Sequence, residues 1–147
     1  MADYDVIIIG AGLGGLTSGS ILSRQGRRVL VLEQTEYPRG LIPASLLKQG
    51  STMTFAQLPD HPLLKGIQAS DLKWWRTDNM VTEGEPLRPR SGAWRAVVVS
   101  GSQAGLSHAP LLELPMGQGT MVLSQLKVAG KLGVEPVAGR LLQNALD

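Results

Sequence analysis

Two short, unbroken apolar runs rich in β-branched residues open the chain, Val6-Ile7-Ile8-Ile9 and Val29-Leu30-Val31-Leu32, with a helical pattern between them. Continuous runs of this kind suit strands covered on both faces of a parallel sheet rather than an amphipathic edge. The strands are expected at Asp5 to Ile9 and Arg28 to Glu33. From Leu13 to Gln25 the apolar positions Leu13, Leu16, Ile21 and Leu22 are compatible with one helical face, and Gly26 stands where a helix would stop. Residues 1–40 therefore read as a βαβ unit.

Between Gln34 and Arg95 the pattern loosens, broken by Pro38, Pro43, Pro59, Pro62, Pro86 and Pro89. We expect an irregular connection over residues 41–95, with a short helix at Leu41 to Lys48 and short strands at Leu72 to Trp75 and Asn79 to Thr82. Order returns with a buried-type strand at Ala96 to Val99. Leu111 to Leu114 and Thr120 to Leu126 flank Pro115-Met116-Gly117-Gln118-Gly119 as a hairpin. A closing helix fits Glu135 to Leu146, with Pro136 in its first turn and an apolar face of Val137, Leu141, Leu142 and Leu146. The expected architecture is a single α/β domain, 1–147. It is Rossmann-like and three-layered, with a mostly parallel sheet extended by an antiparallel hairpin; residues 96–147 supply strand, hairpin and C-terminal helix.

The 147 residues are enough for one ordinary domain, and 43% hydrophobic with 18% charged residues is a globular balance. A net charge of +2, on dispersed lysines and arginines, implies no nucleic-acid groove and no membrane-binding patch. With no cysteine there is no disulfide framework, thiolate metal site, cysteine nucleophile or cysteinyl-flavin link. The apolar run Val6 to Ile9 is far too short to span a bilayer, and the acidic opening lacks the positive charge of a secretory signal. The expected location is cytoplasmic.

The chemistry concentrates in Gly10-Ala11-Gly12-Leu13-Gly14-Gly15, a G-x-G-x-x-G placed between a strand and a helix. Gly10 permits the tight exit from the strand, Gly12 lets a pyrophosphate approach the backbone, and Gly15 lets the helix lie close on the strand. The amides near Leu13 and Gly14 point at the anion, and the helix dipole adds roughly half a positive charge. Glu33 follows eighteen residues after Gly15, close to the spacing of about twenty at which an acid reaches ribose hydroxyls. A carboxylate there repels a 2′-phosphate, which disfavours NADP. A bare turn and a solvated strand end are the plainer reading, and strands, helix and acid in register weigh against it.

Residues 3–40 resemble the start of flavoproteins of the phytoene desaturase and amine oxidase group. That resemblance implies FAD rather than NAD as cofactor, with the ADP portion carried by Gly10, Gly12, Gly15 and Glu33. The family continues with an acid, five residues, Gly-Gly and a basic residue; here Arg39, Gly40 and Leu41 stand at those last three places, and Arg39 is a candidate charge for the pyrophosphate. Members also bring a late Gly-Asp segment to the flavin and a substrate domain, and this sequence has no such dipeptide. Residues 61–147 resemble, more weakly, the amidotransferase-like accessory domains of bacterial glycoside hydrolases, through His61 to Ile67, Leu111 to Leu114, Gly117 to Leu126, Glu135 to Ala138 and Leu141 to Asn144. Amidotransferase chemistry needs a cysteine and is excluded.

Elsewhere the plainer readings prevail. His61 and His108 lack partners at ligand spacing, so no metal site is expected and both are taken as surface residues. Of Trp74 and Trp75, adjacent in a strand, one is expected in the core. Arg88, Arg90 and Arg95 read as a solvated basic face, Glu113 as a hairpin residue and Glu135 as a helix start. Two functions stay open: an FAD-dependent oxidoreductase or its N-terminal part, with no catalytic acid or base identifiable, and a non-catalytic, chimeric or truncated module or carbohydrate-enzyme accessory domain.

Overall fold

A computed structural model describes residues 4–10, 13–32, 47–103 and 105–146. Among these residues, six strands form one sheet: β1 (Val6–Ile9), β2 (Val29–Leu32), β4 (Thr54–Ala56), β6 (Arg95–Ser102), β7 (Gly105–Met116) and β8 (Gly119–Ser124). Their spatial order is β1-β2-β8-β7-β6-β4. The short strands β3 (Leu47–Gln49) and β5 (Gly84–Pro86) pair separately and antiparallel. Helix α1 (Leu13–Arg24) joins β1 to β2, and α2 (Val128–Lys131) and α3 (Pro136–Leu146) close the chain.

The sheet is mixed, which corrects the expectation of a mostly parallel one. β1–β2 and β2–β8 are parallel, whereas β8–β7, β7–β6 and β6–β4 are antiparallel. The strand at Ala96 does not join β1 and β2, because the hairpin inserts between them. β1 is also less covered than its sequence suggests: it ends the strand order, and Ile9 is 65% exposed.

Two cores lie on opposite faces, as alternation along the strands requires. Val29, Val31, Met121 and Leu123 pack with Leu16 of α1, while Leu30, Val122, Leu111 and Val98 pack with Ala138 and Leu141 of α3. Burying each such aliphatic side chain contributes about 1.5–3 kcal/mol. In α3 the buried positions are Ala138, Leu141, Asn144 and Ala145, a rotation from the expected face that leaves Leu146 exposed. In α1 small residues meet the sheet: Gly19 packs on Ile8 and Val31, Ser23 is buried, and Ile21 faces out.

The region expected to be irregular carries β3, β4, β5 and a 3-10 turn at Pro62–Leu64. Strands of three residues are too short to show a period, which hid them in the sequence. Of the helix expected at Leu41 to Lys48, residues 41–46 lie outside the described residues, and Leu47 begins β3. The strands expected at Leu72 to Trp75 and Asn79 to Thr82 reduce to single bridges, Met53 with Lys73, Trp75 with Asn79 and Thr82 with Leu126. Glu85 ties β5 to the main sheet, accepting from Thr82 Oγ1 and Ser100 Oγ, each at 2.6 Å.

The hairpin is longer than expected, with β7 starting at Gly105. Its two-residue turn begins at Gly117, whose φ of 62° suits the tight connection. No helix among the described residues is long and apolar enough to cross a membrane.

Candidate functional site

The parallel strands β1, β2 and β8 end together, with Ile9, Leu32 and Ser124 in register. Gly10 continues past that level: its N–H donates to Leu32 O at 2.6 Å and its φ is 104°, a backbone that glycine adopts without strain. α1 starts three residues later and runs back along the sheet. The N–H groups of its first turn have no carbonyl within the helix to receive them. They open at the C-terminal end of the strands, where the helix dipole favours an anion. No acidic side chain stands in that first turn to compete.

Gly15 is the point of closest approach. A Cβ on it would sit 2.0 Å from Gly10 O and 3.3 Å from Ile8 Cγ2, so only glycine lets α1 press against the strand exit. The structure thus brings Gly10, Leu13, Gly14 and Gly15 together by their backbones at one corner. Ala11, Gly12, Glu33 and Arg39 lie outside the described residues.

At the opposite end of β1 and β2, Asp5 accepts from Arg28 N at 2.8 Å and pairs with its guanidinium at 3.5 Å. The backbone hydrogen bond from Arg28, with its charge, holds the Asp5 carboxyl below the usual range. The strand entering the glycine turn and its parallel neighbour are therefore pinned together at their starts.

Two histidines expected at the surface are enclosed. His61 Nδ1 accepts from Leu63 N at 3.2 Å, and its Nε2 lies 3.7 Å from Glu113 Oε2, which Arg95 also contacts. His108 is buried beside Ser107, with Nδ1 3.0 Å from the hydroxyl. Of the two tryptophans, Trp75 is core and donates to Asp71 O, and Trp74 is exposed. Glu135 caps α3, accepting from Val137 N at 3.1 Å and Arg76 N at 3.0 Å.

Sequence reasoning missed Gln125. It follows Ser124 at the end of β8 and is buried, with neither Nε2 nor Oε1 hydrogen-bonded. The signal was present: Gln125 continues the buried stripe of Met121 and Leu123 with a polar side chain.

A family model described as "FAD binding domain" matches residues 5–99. Squalene epoxidase erg1 of Schizosaccharomyces pombe is 34% identical over 98 residues, covering 65% of this chain and 21% of that protein. The inactive all-trans-retinol 13,14-reductase of Danio rerio is 57% identical over 39 residues, 26% of this chain and 6% of that one. The monodechloroaminopyrrolnitrin halogenase PrnC of Pseudomonas fluorescens is 42% identical over 50 residues, 34% and 9% of the two chains. The chain thus spans about a fifth or less of the length of these relatives. In fold it resembles a cytoplasmic protein from Salmonella typhimurium, with a TM-score of 0.60 at 14% identity over 99% of this chain and 71% of that one.

Proposed function

The chain belongs to the family of FAD binding domains, and from that premise we propose that it holds the ADP half of FAD at the end of β1 as the N-terminal part of an FAD-dependent oxidoreductase. FAD is its cofactor. The observation that carries the placement is the contact of α1 with the strand exit: a Cβ at Gly15 would meet Gly10 O at 2.0 Å. A helix this close to a parallel strand aims its free N–H groups at whatever anion lies beyond the strand, the arrangement a pyrophosphate needs.

In this reading the backbone of Gly10, Ala11, Gly12, Leu13, Gly14 and Gly15 cradles the pyrophosphate. Glu33 accepts from the ribose hydroxyls, and Arg39 supplies a cation to the phosphates. Within the flavoproteins, the resemblance of the glycine turn and its following acid supports reading the segment as one of the phytoene desaturase and amine oxidase group. The sheet, with α1 on one face and α3 on the other, is read as one Rossmann-like, three-layered domain.

When bound, the flavin supplies the hydride and electron chemistry. This chain's residues bind and orient the cofactor's nucleotide end, its phosphates meeting backbone amides, the helix dipole and the Arg39 cation. Squalene epoxidase and the halogenase are named for oxidative reactions on organic substrates, and we extend that reaction class to the protein that carries this segment.

The test is a titration of the purified protein with FAD, followed by flavin fluorescence and the visible absorption spectrum, with ADP as competitor. Saturable FAD binding reversed by ADP, and lost in Gly12→Glu, supports the reading. A chain that takes up neither FAD nor ADP refutes it.

A further inference from the structure

We infer that Gln125 reads the adenine base of the bound nucleotide, an inference that rests on the proposed ADP site and extends it to a residue on β8. The observation is an unanswered side chain. Gln125 is 1% exposed, and neither its amide nitrogen nor its oxygen has a hydrogen-bond partner. Its backbone is satisfied, since the N–H donates to Pro110 O at 2.7 Å and the carbonyl accepts from Glu83 N at 3.1 Å. A buried carboxamide with nothing to bond loses its hydration without compensation, so a group of this kind calls for an explanation.

Its place in the sheet supplies one. Ser124 and Leu126 both line an apolar pocket against α3, together with Leu141 and Ala145. In extended chain the residue between them points the other way, to the face carrying α1. Gln125 therefore shares both the face and the end of the sheet on which α1 begins. Ile9, Leu32 and Ser124 are in register, so Gln125 stands at the level of Gly10, two strands across. At normal strand spacing that is roughly 10 Å.

A nucleotide laid across these strand ends meets them in sequence. The pyrophosphate sits at the turn after β1, and the ribose falls beside the acid that follows β2. The base then arrives over β8. A carboxamide presents one donor and one acceptor side by side, the complement of the adenine N6 amine and N7. A phosphate would call for donors alone, and an apolar ring would leave the amide as unsatisfied as before. Because the side chain is covered, the base meets it only as the cover shifts, so binding includes a conformational step.

The test measures calorimetric binding of ADP and of purine riboside diphosphate, which lacks the 6-amino group, to the full chain and to Gln125→Met. The parent should prefer ADP about tenfold or more, the value of one well-formed hydrogen bond to a buried amide. Gln125→Met should bind ADP and the deaminated analogue equally well, losing the parent's preference, and the free variant should melt no lower than the parent. Gln125→Leu repeats the comparison with a smaller side chain. A variant that keeps the parent's preference for ADP overturns the inference and leaves the FAD site standing, as does a parent that binds both nucleotides equally. Both variants melting well below the parent would also overturn it, by assigning the amide a structural role. A parent that binds neither ADP nor FAD overturns the site and the inference together.

Discussion

The imidazole of His61 and the carboxylate of Glu113 meet at 3.7 Å across more than fifty residues of sequence, joining the 3-10 turn after β4 to the middle of the sheet. His61 Nδ1 accepts the Leu63 amide hydrogen, so Nε2 carries the ring proton toward Glu113. The His61 N–H facing it and the Arg95 guanidinium hold the Glu113 carboxyl below its ordinary value, against the opposing effect of burial. Tyr4 packs nearby, and burial together with the Glu113 charge pushes its phenol up.

A carboxylate lowered in the fold contributes stability that is present above the ordinary glutamate value of 4.5 and is lost as the pH falls through the lower folded value. Glu113→Gln should cost roughly 1–3 kcal/mol at neutral pH. It should also flatten the acid limb of stability, read by urea unfolding at stepped pH. An acid limb identical to the parent's would show that this carboxylate does not govern it.

Lys131 fastens a strained turn. Trp74, Thr77 and Asn79 have φ of 48°, 80° and 61°, left-handed conformations that asparagine tolerates but that Trp74 and Thr77 hold only when their surroundings enforce them. The Lys131 ammonium donates to Arg76 O, Thr77 Oγ1 and Asp78 Oδ1. Lys131 and Lys127 together hold the Asp78 carboxyl far below its ordinary range. The clamp is therefore kept on acidification until the pH falls through that depressed value. Lys131→Met should destabilise the protein by roughly 1–3 kcal/mol, with faster amide exchange in residues 74–80 than elsewhere. Uniform acceleration across the chain would show that the turn holds itself.

Gly15→Ala should force α1 away from Gly10, costing roughly 1–3 kcal/mol as overpacking does, and should weaken FAD binding. Gly139→Ala is the matched control. Gly139 lies exposed in α3, where a methyl meets no atom within 4 Å, so the change should stabilise by about 0.5–1 kcal/mol through helix propensity and leave FAD affinity unchanged. Thermal melting and FAD titration of both variants check the pair.

Asn144 joins α3 to the 3-10 turn, its Nδ2 donating to Leu63 O at 2.9 Å and Lys65 O at 2.8 Å. Asn144→Leu removes both donors and strands the two carbonyls, one of them fully buried. The expected loss is about 1–3 kcal/mol, measured by chemical denaturation. Stability equal to the parent's would show that the two carbonyls find other donors.

The unit β1-α1-β2 was legible because its determinants are local. Unbroken β-branched runs, glycines at the turn and a stop at Gly26 each act within a few residues, and Gly15 needs no partner beyond Gly10 to explain it. The hairpin and α3 were legible for the same reason, through turn chemistry and Pro136. Which strand lies beside β2 was a different matter. β8 occupies that place after a long excursion of the chain, and pairing over such a separation is decided by the complete core rather than by either strand. The same holds for side chains read singly. His61 looked like surface until Glu113 was placed opposite it, and Gln125 was one polar residue in a strand until register set it level with Gly10. Local periodicity determined the elements; the packing of distant segments decided their neighbours, and with them which polar groups are answered and which are not.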